Sequence, residues 1–180
     1  MKALEIVDKE KIELNEISLP ELKDDEVTIK VKYCGICGSD IPRYFDGGVH
    51  NFPQVVGHEF SGIIDNIGKK VEGLDKGDRV VVAPLVPKNS PNLWANGNPA
   101  MDKEYSFIGS RQQGALAEYV NVPYENIIKL PDDVSLEEAA LIEPLTIAIH
   151  GVDRIPMQKL GERVLVFGAG TIGLMTIAVL

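Results

Sequence analysis

Cysteine is scarce in this chain: two residues in 180, both in one C-x-x-C. Two thiols at that spacing build no disulfide framework and cannot by themselves close a four-cysteine metal site. Basic residues are outnumbered too, 18 Lys and Arg against 27 Asp and Glu, for a formal net charge of −9. That balance argues against nucleic acid and against an anionic membrane surface, which both select basic patches. Its plainest meaning is solubility. No apolar run reaches the roughly 18 residues of a membrane helix. The opening stretch, residues 1–14, alternates apolar and charged residues, unlike a secretory signal. A reducing cytoplasm is the expected setting. What is present is ordinary globular composition, 44% hydrophobic, enough for one good core and the start of a second domain.

Strand patterns dominate the first 130 residues. Val27, Ile29, Val31 and Tyr33 face one way, Thr28, Lys30 and Lys32 the other. This half-buried alternation suits an antiparallel sheet or barrel wall. A hairpin is expected from residues 3–7 and 11–14, with further strands at 60–67, 79–83, 114–122 and 127–130. Short strands joined by glycine-bearing turns predict a small barrel. Residues 86–107 carry Pro87, Pro91 and Pro99 and no period, which predicts a long irregular loop. Ser135 and Glu138 form a capping-box signature. The helix they open should end at Pro144, leaving Glu143 at a break before a second helix over 145–152. Residues 163–167 read as an apolar strand, followed by a glycine-rich turn and a helix to Leu180.

The chemistry concentrates between Cys34 and Glu59, which holds both cysteines and two of the three histidines. Zinc takes thiolate and imidazole in tetrahedral sites, and catalytic sites leave one position open. Cys37 and His58 are therefore candidate ligands. The alternatives for the cysteines are a thioredoxin-like redox pair or an inert buried pair. Against the redox pair, Cys37 runs into Gly38-Ser39-Asp40 rather than into an amphipathic helix. Glu143 is the third candidate ligand, or else a salt-bridged or helix-terminal carboxylate. Asp40 and Glu59 are placed to orient ligands or exchange with them. Ser39 is placed to hydrogen-bond a substrate hydroxyl and pass its proton, or to cap a short helix over 38–45. His50 joins that proton path or is a solvated loop histidine. Gly168, Gly170 and Gly173 have the spacing of a dinucleotide fingerprint between a strand and a helix, where amide N–H groups would face a pyrophosphate. The alternative is a generic tight turn.

The segments 34–40 (CGICGSD), 57–62 (GHEFSG), 77–80 (GDRV), 143–145 (EPL) and 168–173 (GAGTIG) together resemble the zinc-dependent medium-chain alcohol and polyol dehydrogenase family. The resemblance implies a GroES-like zinc-binding catalytic domain at residues 1–155, mostly β barrel with short helices. The first βα unit of a Rossmann coenzyme-binding domain would follow at 156–180. It implies one catalytic zinc on Cys37, His58 and Glu143, with Glu59 as an alternate ligand. It also implies NAD(H), or else NADP(H). Glutamate at the third ligand position points to the polyol branch. Residues 35–43, 52–53, 58–62 and 107–111 are similar to the galactitol-1-phosphate 5-dehydrogenase group within it, with sorbitol, threonine and butanediol dehydrogenases as neighbours. The implied reaction takes a hydride from a secondary alcohol of a polyol or polyol phosphate to NAD. Zinc polarises the hydroxyl, Ser39 relays its proton, and the coenzyme does the redox chemistry. Arg43 and Arg111 become candidate phosphate contacts, because arginine grips phosphate bidentately; ion pairs at the barrel end are the alternative. The rival readings are a non-catalytic zinc-binding GroES-like module and a zinc-free quinone reductase relative.

Two features depart from the family. Its members usually carry a lobe with four zinc-binding cysteines, but the positions aligned with them here are Lys88, Pro91, Trp94 and Asp102. No structural zinc is expected, and the loop would be looser or held by Trp94 packing. Family members are also much longer. The chain is thus expected to be an incomplete part of the enzyme with little turnover alone and a sticky surface, homo-oligomeric when full length.

Overall fold

The alternation over Glu26–Cys34 becomes β3, the strand between β5 (Phe60–Ile67) and β9 (Tyr119–Pro123) in an antiparallel five-stranded sheet. The structure is a computed structural model that describes residues 1–88, 102, 104–155 and 163–180. The sheet continues from β5 through β6 (Arg79–Val82) to β10 (Ile127–Lys129). Val27, Ile29, Phe60, Ile64, Val80, Val82, Val120 and Val122 form its buried core together with Ile108 and Ala115. The N-terminal hairpin, β1 (Lys2–Asp8) and β2 (Lys11–Glu16), forms a second sheet in which β1 also pairs with β4 (Gln54–Val55).

Two side chains on β3 depart from the simple alternation. Thr28 is buried, and its hydroxyl donates to Asn121 Oδ1 at 2.7 Å, so the polar group is satisfied. Tyr33, expected on the inward face, is 45% exposed. The β3–β5 register shifts between Val31 and Tyr33, and such a shift re-aims the side chains beyond it.

Most of the segment expected as a long irregular loop, residues 89–101 and 103, lies outside the described residues; on either side of it β7 (Leu85–Val86) and β8 (Ser106–Phe107) pair antiparallel. The Asp102 carboxylate accepts the Lys88 amide at 2.7 Å and the Glu104 amide at 2.9 Å. Pro91 and Trp94, the other two positions aligned with the lobe cysteines, lie outside the described residues.

Four α-helices are described, one early in the chain and three after β10. The first, α1 (Asp40–Phe45), follows β3, while α2 (Leu136–Ala139), α3 (Ile142–Asp153) and α4 (Thr171–Val179) follow the sheet. The capping box forms, with Ser135 Oγ accepting the Glu138 amide and the Glu138 side chain accepting from the Ser135 amide. The Ser61 hydroxyl donates to the Leu136 carbonyl and pins α2 to the sheet. The break between α2 and α3 falls at residues 140–141, earlier than expected, and Pro144 lies inside the first turn of α3. A proline there removes no intrahelical hydrogen bond, so it starts a helix instead of stopping one. Glu143 accordingly sits in that first turn, aimed by a helix and not by a kink.

Residues 163–167, expected as a strand, pair with none of the described strands, and Phe167 is 91% exposed. An extended segment becomes a strand only through a ladder partner. The helix after it forms as α4 and packs along α3. The domain boundary expected after residue 155 adjoins residues outside the described ones. Among the described residues, no helix is long and apolar enough to cross a membrane.

Candidate metal centre

Cys37 lies in the turn between β3 and α1, held from both sides. The Asp40 amide donates to the Cys37 carbonyl at 2.9 Å, and the Cys37 amide donates to Asp40 Oδ2 at 3.0 Å. The Ser39 amide points at Cys37 Sγ, 3.5 Å away. One residue past β3, the Gly35 amide donates to the Glu59 carbonyl at 2.7 Å. A Cβ on Gly35 would lie 2.5 Å from Glu59 Oε2, so a glycine here leaves room for the Glu59 carboxylate.

His58 comes from the segment before β5. It is 4% exposed and packs edge-to-face against Phe107 with ring centroids 5.4 Å apart. Gly57, just before it, has φ +98°, and a Cβ there would meet Cys34 Sγ at 2.7 Å and the Leu116 amide nitrogen at 2.9 Å. Only glycine takes that backbone angle without strain and also fits the space.

One ligand atom each from Cys37, His58 and Glu59 lie within 4.8 Å of one another. Glu143 is not in that trio, but its carboxyl is close enough to Glu59 to feel its charge. His58 Nδ1 is buried and has no hydrogen-bond partner among the described residues. A buried polar atom without a partner is rare and costly, and the imidazole that carries it stands with the Cys37 thiol and the Glu59 carboxylate in the 4.8 Å cluster, which suits a metal ion. Thiolate, imidazole and carboxylate are the donors zinc takes, so the residues present fit that ion.

The surroundings of Cys34 hold it as a thiol. Burial, then the charges of Asp40 and Glu59, push the Cys34 thiol up to about 12, so it stays protonated. Cys34 ends β3 and lines the space beside Gly57. Burial lowers the pKa of His58, against the opposing pull of Asp40, which keeps the imidazole neutral and able to ligate. Burial and the nearby Glu59 charge raise Glu143 to about 7. A carboxyl whose folded pKa is raised binds an extra proton in the folded state. Its contribution to stability is therefore present below the usual value of about 4.5 and is lost as pH rises through about 7. With a chelator present, the unfolding temperature should fall across that window. Glu143→Gln should flatten the fall, as thermal melts at stepped pH would show; an unchanged slope in the variant would contradict it.

Beside the cluster opens a cavity of about 260 Å³ lined by Ser39, Arg43, His50, His58, Phe107 and Arg111, with Tyr105 and Ser110. Ser39 occupies the N-cap position of α1 but makes no capping bond, so the capping alternative is not realised. Its oxygen instead accepts from Arg43 at 3.0 Å. Arg111 donates to the Tyr105 carbonyl at 3.2 Å and stacks 4.3 Å from the centre of the Tyr105 ring. The structure thus brings Cys37, Ser39, His50, His58, Glu59, Arg43 and Arg111 to one place. Tyr105, Phe107 and Ser110 carry no sequence signal that marks them as site groups; only their place in and beside β8 reveals them.

The glycine trio lies at the start of α4. Gly168 has φ +100°, Gly170 is the N-cap, and a Cβ on Gly173 would collide with the Gly168 carbonyl oxygen. The tight turn folded onto its helix therefore forms.

Residues 23–132 match the family described as the alcohol dehydrogenase GroES-like domain. The chain is 41% identical over 167 residues to galactitol 1-phosphate 5-dehydrogenase of Escherichia coli (strain K12), covering 92% of this chain and 48% of that protein. A crystal structure of galactitol-1-phosphate dehydrogenase from Escherichia coli matches with a TM-score of 0.89 at 39% identity, over 98% of this chain and 51% of that one. A crystal structure of a short chain alcohol dehydrogenase from E. coli CFT073, complexed with the cofactor NADH, also matches. Its TM-score is 0.89 at 36% identity, over 99% of this chain and 52% of that one. The chain spans about half the length of the curated relatives it matches.

Proposed function

We propose, from the premise that this chain belongs to the alcohol dehydrogenase GroES-like domain family, that it carries the metal and substrate part of a zinc-dependent dehydrogenase. The enzyme would oxidise a secondary alcohol of a polyol or polyol phosphate with NAD, NADP being the alternative coenzyme. The observation that carries the reading is the meeting of Cys37, His58 and Glu59 within 4.8 Å at a cavity that Ser39 and two arginines also line.

Cys37 and His58 would hold the ion, with Glu143 or its neighbour Glu59 as the carboxylate ligand. When bound, zinc supplies the Lewis acidity that lowers the pKa of an alcohol hydroxyl. The chain's own groups do the rest. Ser39 lines the cavity, and its hydroxyl would be the first acceptor for the proton. His50, also at the cavity wall, stands on the way to solvent. Phe107 packs edge-to-face against His58 at the cavity wall and would help keep water from it. Arg43 and Arg111 place positive charge in this cavity of an otherwise acidic chain, which favours a substrate bearing an anionic group. The likeness to the galactitol 1-phosphate enzyme supports a phosphate ester as substrate. The turn at Gly168, Gly170 and Gly173 would receive the coenzyme pyrophosphate as the first unit of a Rossmann domain, and the NADH-bound relative supports that assignment. The free thiols at Cys34 and Cys37 suit a reducing compartment.

The test is a panel of hexitols and hexitol phosphates, with NAD and NADP, against a version carrying a complete coenzyme domain, with zinc quantified. Zinc-dependent coenzyme reduction is expected, with lower KM for the phosphate esters. A zinc-loaded protein that turns over none of them would favour a non-catalytic zinc-binding module.

A further inference from the structure

Arg43 and Arg111 line the same cavity, yet their surroundings differ. Arg43 Nη1 donates to Asp40 Oδ1 at 2.6 Å and to Ser39 Oγ at 3.0 Å. The pair is largely buried, with side-chain exposures of 14% for Arg43 and 6% for Asp40. The second oxygen of Asp40 accepts the Cys37 amide at 3.0 Å. One carboxylate thus ties the amide of the thiol residue to the guanidinium that holds the serine hydroxyl. The spacing is what a helical turn provides, since residues three and four apart lie on one face: Arg43 is three after Asp40 and four after Ser39. Arg111 is bound only to Tyr105 among the described residues, by weaker contacts at 3.2 and 3.5 Å and a stacked ring.

A guanidinium has donors and no acceptor. In its bond with Arg43 the Ser39 oxygen can only accept. One lone pair is then fixed toward the guanidinium, and the other lone pair and the hydroxyl hydrogen are left for the cavity. Ser39 has no competing role, because it makes no capping bond to α1. A serine on an exposed turn would otherwise exchange among three rotamers.

We propose that Arg43 is a positioning residue: locked to buried Asp40, its Nη1 holds the Ser39 hydroxyl in one orientation toward the cavity. Arg43 then acts through Ser39, and the anion contact proposed above falls chiefly to Arg111. The kinetic arm of the test rests on the proposed dehydrogenase reading; the structural arm does not.

The structural arm measures the Ser39 Hα–Hβ couplings by NMR in the 180-residue chain. The wild type should show one rotamer. Arg43→Gln should give averaged couplings, whereas Arg43→Lys, which keeps a cation beside Asp40, should restore most of the single-rotamer pattern. Because Arg43→Gln leaves a buried carboxylate unpaired, Asp40→Asn/Arg43→Gln is measured beside it, and zinc content and amide dispersion report folding. Equal couplings in wild type and both glutamine variants, or averaging already in the wild type, would overturn the proposal. The kinetic arm uses the complete enzyme. Arg43→Gln should lower kcat about tenfold with KM little changed, and the loss should vanish in a Ser39→Ala background, because residues acting as one unit are not additive. Additive losses, or a raised KM for the phosphate ester at unchanged kcat, would make Arg43 a direct substrate contact and overturn the proposal. If the complete enzyme turns over no substrate, the proposed reaction fails and the couplings alone decide the role of Arg43.

Discussion

His58→Ala should strip the chain of zinc while leaving most of the fold in place. His58 offers the sole imidazole of the cluster with Cys37 and Glu59, and its buried Nδ1 has no other partner among the described residues. Loss of a residue that merely orients a ligand costs roughly 10–100-fold in metal affinity, and loss of a ligand should exceed about 100-fold by the same reasoning. The fold should tolerate the change for a related reason. The imidazole packs edge-to-face against Phe107, and its removal also relieves an unpaired buried polar atom, Nδ1. In the presence of a chelator the variant and the wild type should therefore melt within a few degrees of each other. With zinc added, only the wild type should gain stability, since a ligand that binds only the native state raises its melting point. Competition against a chromophoric chelator measures the affinity; a His58→Ala chain that retains one tightly held zinc would contradict the assignment.

Gly57→Ala should be among the most damaging single-methyl additions in the chain. Its φ of +98° is a backbone region that costs an L residue about 1–2 kcal/mol. The added Cβ would also meet Cys34 Sγ, the Leu116 amide nitrogen and, at 3.1 Å, Leu116 Cγ. The nearest groups include backbone held by the Leu116-to-Val56 and Ala115-to-Gly57 hydrogen bonds of 3.0 Å each. They cannot move aside without breaking those bonds, and overpacking of this kind costs about 1–3 kcal/mol more. A loss of about 2–5 kcal/mol is expected from chemical denaturation. Zinc affinity should fall with it, because His58 is the next residue. Gly73→Ala is the matched control: its φ is also positive, +75°, but no atom lies within 4 Å of the added Cβ. If Gly57→Ala cost no more than Gly73→Ala, close packing behind His58 would not be what places the imidazole.

The strands were legible because burial on one face writes a period of two into the sequence. Val27, Ile29, Ile64, Val80 and Val82 show it, and the hairpin and five-stranded sheet follow. The capping box at Ser135 was equally readable, since its two hydrogen bonds are local. The misreadings share a different origin. Pro144 carries the same letter whether it stops one helix or opens the next, and the break at residues 140–141 decides between them. Tyr33 continues the alternation in sequence, yet a register shift against a partner strand turns it outward. The apolar run at 163–167 has a strand's composition but no ladder among the described residues.

In the site, the groups were legible and their partners were not. Cys37, His58 and Glu59 stand out by type and proximity, whereas their meeting within 4.8 Å depends on how β3 and β5 align. Arg43 and Arg111 look alike in the sequence. Only the buried Asp40 beside Arg43 separates them, and that is a matter of which face of α1 turns inward.

Cys37 and His58, with a carboxylate, are expected to hold one metal ion. Cobalt titration of the chain tests this most directly, read by the absorption of thiolate bound to the metal. Saturation at one equivalent is predicted, with the band lost in Cys37→Ala and kept in Cys34→Ala. A band that follows Cys34 instead, or saturation at two equivalents, would contradict it.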